Sequence, residues 1–430
     1  MSEKSPGVTN CGVRNNVDKP PAVFWWICVA FFFQGMTPGF WLPPLTNLLQ
    51  AKGLGAWVAA AFMVPPVCAL VSPLIGGALA DQKVAAERLY VWTSLAAGVF
   101  LIAAFACLDA GLDPWWFLVF LGMYSVFSGP SWGLITITAL THLPNVERQF
   151  PLVRLGGTLG WMAAGAMTSY VFHADFSPTA GYAAGAARIL GAVLAIPLPH
   201  TPPLGKSTSW RSQLGLDAFQ LMGQRDLGVF FTVTTLFSIP LTAFYMYAPE
   251  LLKVLGSTHA TATMAVAQLT EIGGMLLVGR LMLRFRLKTV LLWALGLSAL
   301  RFGMSGYAGH SGLIAWHIGG IALHGVCYTF YFITAPVFLD NRVAPGLRGQ
   351  AQGLLGLVTG GIGPLLGAWA CGRLRDHVVT ADGQGWLVFW SILAGMIAVC
   401  FVILAVFYRE HGKPQAGVIP AEGGSPAAEP

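Results

Sequence analysis

The feature that most limits what this chain can become is a series of about twelve long apolar stretches, each near or beyond the ~20 residues that a helix needs to cross a bilayer core. They run at about 22–49, 56–80, 89–110, 114–140, 151–172 and 180–198, then 227–252, 262–283, 289–308, 312–339, 349–372 and 385–408. In lipid, a spanning segment has to satisfy its backbone polar groups internally, so stretches of this length read as helices. Composition agrees: 55% of the 430 residues are hydrophobic and 10% charged, whereas a soluble domain carries about 25% charge. The expected fold is an all-α polytopic membrane protein, and the soluble-enzyme classes fall away. The chain divides into a polar tail over 1–21, six helices over 22–198, a central polar loop over 199–226, six more helices over 227–408 and a disordered tail over 409–430. The sixth stretch is the least apolar, being rich in Gly and Ala with Arg188 inside it. No short apolar core with a small-residue cleavage site precedes the first span, which is expected to serve as its own insertion signal.

Lys and Arg in short loops set orientation. With the N-terminus inside, about sixteen of the 24 basic residues fall on the cytoplasmic side, Lys83, Arg88, Arg284, Arg286 and Arg342 among them. Four fall outside: Lys52, Lys253, Arg373 and Arg375. Arg154, Arg188, Arg280 and Arg301 fall within spans. The expected location is the cell (inner) membrane, multi-pass, with both termini cytoplasmic. The net charge of +6 therefore belongs to membrane topology and does not signal nucleic acid. Of the seven cysteines, only Cys11 lies in a polar stretch, and none has disulfide or metal spacing. No cofactor and no metal is expected. Two six-helix halves with a long inside loop resemble the layout of the major facilitator fold, in which substrate binds near the midplane between the halves.

Several polar residues sit where lipid would exclude them. Glu271 lies near the middle of the eighth stretch, with Gln268 one turn earlier on the same face. A charge at mid-bilayer costs roughly 2.5–3.5 kcal/mol even on the lenient insertion scale. Glu271 should therefore face a protein interior or a watery cavity, either as a functional group or as a buried structural carboxyl. In the fifth stretch Arg154, Thr158 and Trp161 stand at i, i+4 and i+7, one stripe of a helix. A guanidinium, a hydroxyl and an indole there suit a polar planar ligand. Otherwise, Arg154 snorkels to the headgroups or pairs with an acid. Gly156, Gly157 and Gly160 line a neighbouring face that lets another helix come close. In the tenth stretch His324 and Tyr328 share a face, a binding stripe or plain packing, while His317 nearer the outer end reads as structural. Arg301 needs a partner, and Glu271 is one candidate. Between the second and third stretches, Gly76-Gly77-Ala78-Leu79-Ala80-Asp81-Gln82-Lys83 reads as a conformational latch, with Gly77 for close approach and Asp81 for a helix N-terminus or an arginine. The other reading of Asp81 is a solvated loop acid.

At these residues the chain resembles the nucleoside:proton symporter family of the major facilitator superfamily. The similar stretches are FPLVRLGGTLGWMAAG from Phe150, AVAQLTEI from Ala265 with the basic RFRLKTVLL after it, ALRFGMSGYAG from Ala299, IALHGVCYTFYFIT from Ile321, and VAPGLRGQAQGLLGLVTGGIGPLLG from Val343. In the first half the clearest piece is SPLIGGALADQ from Ser72. The resemblance implies that Arg154, Thr158 and Trp161 contact base and ribose. It implies that Gln268 and Glu271 bind sugar hydroxyls or carry the coupling proton. An aromatic–acid pair is expected in the tenth span, but this chain has Tyr328-Thr329, without the acid. The family's polar positions in the seventh span fall near Thr242 and Tyr245. Implied partners are a nucleoside-like small molecule, protons and the lipid bilayer, with no nucleic acid and no obligate protein partner.

The resulting expectation is a secondary active transporter that imports nucleosides, or a similar hydroxylated ring-bearing solute, by proton symport. Within transport, the alternatives are another solute such as a sugar or riboside, or an uncoupled facilitator. A polytopic enzyme would need a nucleophile and base or a metal cluster near one face. His142 and Glu147, the nearest candidates, lack both spacing and a partner. A transporter-like receptor would ordinarily carry an appended soluble domain.

Overall fold

A computed structural model describes residues 22–203, 216–343, 348–380 and 382–409. The expected tails at 1–21 and beyond 409, and much of the central loop, lie outside the described residues. All regular structure among those residues is helical. Ten helical spans are long and apolar enough to cross a membrane: α1 (Ala22–Ala51), α2 (Gly55–Gly77), α3 (Ala86–Asp109), α4 (Pro114–His142), α7 (Arg225–Val254), α8 (Ala260–Arg284), α9 (Leu287–Ser311), α10 (Ile314–Leu339), α11 (Ala351–Val378) and α12 (Trp386–Phe407). Between α4 and α7 lie α5 (Val146–Ala166) and α6 (Thr179–Leu194). Helix α5 is charged over its first turns, and α6 is short, so neither is apolar along a full span.

Buried Arg188 explains why α6 reads weakly. Its guanidinium donates to Gln34 of α1 and Ser131 of α4 and lies over the Tyr90 ring of α3, 5.9 Å from the centroid. Neutral acceptors and a ring face hold this cation inside the first six helices, which ties α6 to α1, α3 and α4. The glycines of α5 bring α1 within backbone contact. A Cβ on Gly160 would lie 1.9 Å from the Phe32 carbonyl oxygen, and one on Gly156 would lie 2.9 Å from that of Cys28. Helix association in lipid depends on such close packing.

Loops on the two faces differ. Among the described residues, those with left-handed backbone are Gly53, Gly111, His173, Gly256, Gly312, Gly383 and Gly385. All of them follow an odd-numbered span and precede an even one, so they lie on one face. Gly312, at φ 72°, ends α9 and donates its N–H to the Ala308 carbonyl, a glycine cap that lets α10 start two residues later. The other face carries Lys83, Arg88, Arg284, Arg286 and Arg342 and is called the basic face below.

Hydrogen bonds joining the first six helices to the last six, among the described residues, lie at mid-depth or toward the glycine-turn face. Thr46 donates to the Met246 carbonyl at 2.6 Å and Asn47 to that of Pro249 at 3.1 Å. Asp175, between α5 and α6, accepts from the Thr261 N–H at 2.7 Å, and Ser169 from the Ala262 N–H at 3.0 Å. Two groups of one half thus take up free N–H donors in the first turn of α8, where a carboxylate also meets the positive end of the helix dipole. These bonds hold the two halves together at this face.

Candidate functional site

Glu271 and Gln268 project from α8 into the seam between the halves, and both are buried. Thr158 of α5 donates to Glu271 Oε1 at 3.3 Å, a hydrogen bond that crosses the seam at mid-depth. Gln268 Oε1 has no protein partner. One turn beyond Thr158, the Trp161 indole faces Tyr245 of α7, with ring centroids 6.2 Å apart. The Tyr245 hydroxyl lies 3.3 Å from His324 Nε2 on α10. The His324 ring stacks on Phe244 at 4.1 Å and meets Tyr328 at 5.8 Å, and its Nδ1 is unpartnered. Arg154, one turn from Thr158 toward the basic face, is exposed, with its guanidinium 5.5 Å from the Trp132 ring centroid. Arg154 shares the stripe of Thr158 and Trp161, which touch α8 and α7. Leu152 and Leu159 occupy an outward, exposed face.

The structure thus links Thr158 to Glu271 and Trp161 to Tyr245, His324 and Tyr328 across the seam, with Arg154 one turn from Thr158 and Gln268 one turn from Glu271. Thr242 and Thr329 are engaged elsewhere. The Thr242 hydroxyl donates to the Ser238 carbonyl of its own helix at 2.9 Å, and a Cβ added to Gly367 of α11 would meet it at 2.7 Å. The Thr329 hydroxyl donates to the Gly325 and Glu271 carbonyls, at 2.9 and 3.3 Å, so it seats α10 against α8. Gly77 has open space where a Cβ would sit. The close approach is at Gly76, where a Cβ would lie 2.2 Å from Pro130. The Asp81 and Glu147 side chains lie outside the described residues.

Arg301 is buried, and no described carboxylate pairs with it. Its guanidinium lies between aromatic faces, 4.7 Å from the Phe244 ring centroid and 4.2 Å from that of Phe302. Glu271 is not its ion-pair partner. Phe244 therefore connects the Arg301 cation to the His324 ring, a stack that helical spacing alone could not reveal because it joins three helices. His317 uses both ring nitrogens, on Ser305 Oγ and the Ala248 carbonyl, each at 3.0 Å. Sequence reasoning also missed Glu250, near the end of α7, which accepts from Arg375 of α11. An acid beside Pro249 at the end of an apolar span was the available signal, and it accounts for one of the two arginines stranded on the glycine-turn face.

The family model described as nucleoside H+ symporter matches residues 25–413. The chain belongs to the nucleoside H+ symporter family. Among curated relatives, YegT of Escherichia coli (strain K12) is 33% identical over 399 residues, 88% of this chain and 92% of the relative. The xanthosine permease of the same organism is 27% identical over 407 residues, 90% of this chain and 96% of the relative. Among solved structures, the nucleoside transporter NupG superposes with a TM-score of 0.80 at 22% identity, covering 91% of this chain and 100% of that one. A D-xylose–proton symporter reaches 0.68 at 14%, covering 90% of this chain and 98% of that one. The fold is the major facilitator fold, and this member of the family is a membrane transporter.

Proposed function

We propose that the chain imports nucleosides with protons, taking them up in the space bounded by Arg154, Thr158, Trp161, Tyr245, Gln268, Glu271, His324 and Tyr328. The observation that carries this reading is the Thr158–Glu271 hydrogen bond. It supports the reading because Glu271 then lies on the surface where two six-helix units, 22–198 and 227–408, would slide. Trp161 and Tyr245 offer ring faces to a base. Gln268 Oε1 and Glu271 are acceptors for ribose hydroxyls, and Arg154 is a donor for base oxygens. The names of the relatives, which specify nucleosides and xanthosine, support the same solute class.

In this reading the basic face is cytoplasmic, the membrane is the cell's inner membrane, and the structure is the inward-facing state. Glu271 takes a proton while the seam opens outward and releases it through the opening beside Arg154. One charge moved through ~100 mV supplies ~2.3 kcal/mol, which concentrates a neutral solute roughly fiftyfold. With Thr329 in place of an acid and bonded to carbonyls, Glu271 is the single carboxylate of the cluster, and one proton per solute follows.

The test is uptake of labelled uridine, adenosine and xanthosine into proteoliposomes with an alkaline lumen. Accumulation above equilibrium that collapses with the proton gradient supports the proposal. Equilibration without accumulation would make the chain an uncoupled facilitator. No uptake of any nucleoside by monodisperse protein would overturn the solute class and direct the search to sugars.

A further inference from the structure

Helix α9 turns one stripe to the outside of the bundle along most of its length. Trp293, Gly296, Leu300 and Tyr307, at i, i+3, i+7 and i+14, are exposed. Ser298, Arg301, Phe302 and Ser305, on the opposite side, are buried. In a membrane transporter an outer apolar stripe of this kind meets hydrocarbon. Toward the basic face the stripe borders an apolar groove of about 390 Å³, lined by Leu292, Trp293, Gly296 and Leu297 of α9, Phe330 of α10 and Phe401 of α12. Phe330 is buried, while Trp293, Gly296 and Phe401 are exposed, so the groove opens outward. A Cβ on Gly296 would meet only the Phe401 ring, at 3.8 Å, so the missing side chain there leaves the groove its room.

The end of this groove at the basic face is cationic. Helices α8 and α9 join through Phe285 and Arg286. The Phe285 ring meets the Trp293 ring edge to face, with centroids 4.8 Å apart, and the Arg284 guanidinium lies 5.9 Å from the Phe285 centroid. The groove wall therefore continues through two rings to a guanidinium. Trp293 stands six residues into α9 from Leu287, roughly 9 Å at the usual helical rise, close to the ~5–8 Å thickness of one headgroup layer. Lys288 donates to the Ala405 and Tyr408 carbonyls, at 2.7 and 2.8 Å, and so fastens the start of α9 to the end of α12. Arg284 and Arg286 are exposed, and neither pairs with a carboxylate among the described residues. Membrane orientation requires only that cations gather on this face, not that they prolong an apolar groove. We propose that the groove holds one acyl chain of an anionic glycerophospholipid, such as phosphatidylglycerol, with its phosphate on Arg284 and Arg286. Guanidinium groups grip phosphate oxygens through paired N–H donors, the first N–H groups of α9 add positive potential, and the apolar walls take up methylenes. A zwitterionic lipid would bring its ammonium to the same cations, so net negative charge is selected. The site is separate from the Glu271 cluster and does not depend on which solute is carried.

The experiment is native mass spectrometry of purified, delipidated full-length protein, titrated with phosphatidylglycerol and with phosphatidylethanolamine of identical acyl chains. The apparent Kd of the first lipid bound is read for each. Phosphatidylglycerol should bind at least about fivefold more tightly, the worth of one basic residue near an anionic lipid. Arg284→Gln together with Arg286→Gln should weaken phosphatidylglycerol about thirtyfold, two such contacts, and remove the preference. Gly296→Leu fills the groove and leaves both arginines in place. Excluding two methylenes should weaken both lipids about tenfold, and Gly296→Val, a smaller filler, decides the matter if the leucine variant fails to fold. Equal affinity for the two lipids would overturn the site. So would a preference that survives loss of both arginines, or lipid affinity unchanged by filling the groove, which would leave only attraction of headgroups to a basic surface.

Discussion

Glu271 accepts a hydrogen bond from the opposite six-helix unit, so a change in its proton occupancy is felt across the seam. Under the transport reading, Glu271→Gln keeps the shape and removes the titration. Counterflow exchange of nucleoside should persist, while accumulation against a gradient is lost and uptake no longer rises as external pH falls. In the wild type, lower external pH loads the carboxyl and raises uptake, and flux measured at several external pH values compares the two. Thr158→Val removes the donor alone. It should weaken apparent affinity about tenfold, as for one hydrogen bond to a charged acceptor, with coupling intact, measured as KM and accumulation ratio together. These residues stood out as candidates before any coordinates, because depth in an apolar span makes an acid conspicuous and helical spacing groups Arg154, Thr158 and Trp161. The partner of Arg301 was not. An acid was expected, and two aromatic rings of α7 and α9 stand there instead. Rings are too common in apolar spans for their positions in the sequence to single out such a pair. The Tyr245–His324 contact depends likewise on how α7 crosses α10, and no local pattern specifies that crossing.

Helix α8 is one of the elements through which the two units meet, besides α7, which α1 contacts. Its first turn is bound by Asp175 and Ser169 of the other unit, and its middle by Thr158. Asp175→Ala leaves the Thr261 N–H without its acceptor and removes a charge from the helix N-terminus, at a cost of about 1 kcal/mol. That loss falls only on the closed glycine-turn face, so the equilibrium should shift roughly fivefold toward the alternative state. Alkylation rates at cysteines placed along the seam would report the shift. The α1–α5 contact is the rigid counterpart. Gly160→Ala drives a methyl into the Phe32 carbonyl and should destabilise the protein by about 1–3 kcal/mol, seen as a lower midpoint in a thermal aggregation assay. The glycines of α5 announced this approach in the sequence, although the helix that makes it could be identified only from the structure. At Gly77, by contrast, the sequence pointed one residue away from the glycine that touches Pro130.

Across the whole molecule, the described seam bonds lie at mid-depth or toward the glycine-turn face. If one charge accompanies each neutral solute, uptake should be electrogenic. A valinomycin-set potassium potential of ~100 mV, negative inside, should raise the steady-state accumulation ratio toward about fiftyfold without any pH gradient. The layout of two sets of six spans was readable from apolar lengths and loop charge, with α5 and α6 the exceptions, because polar residues that serve the site and the bundle interior interrupt them. The left-handed turns bear on how such a chain is made. In the proposed orientation, four of the external connections bearing one close within two to five residues, at Gly53, Gly111, Gly256 and Gly312. Little polar backbone therefore has to be carried through the hydrocarbon during biosynthesis. Neighbouring helices can enter the bilayer as hairpins, each with its turn leading, while the basic connections remain on the ribosome's side.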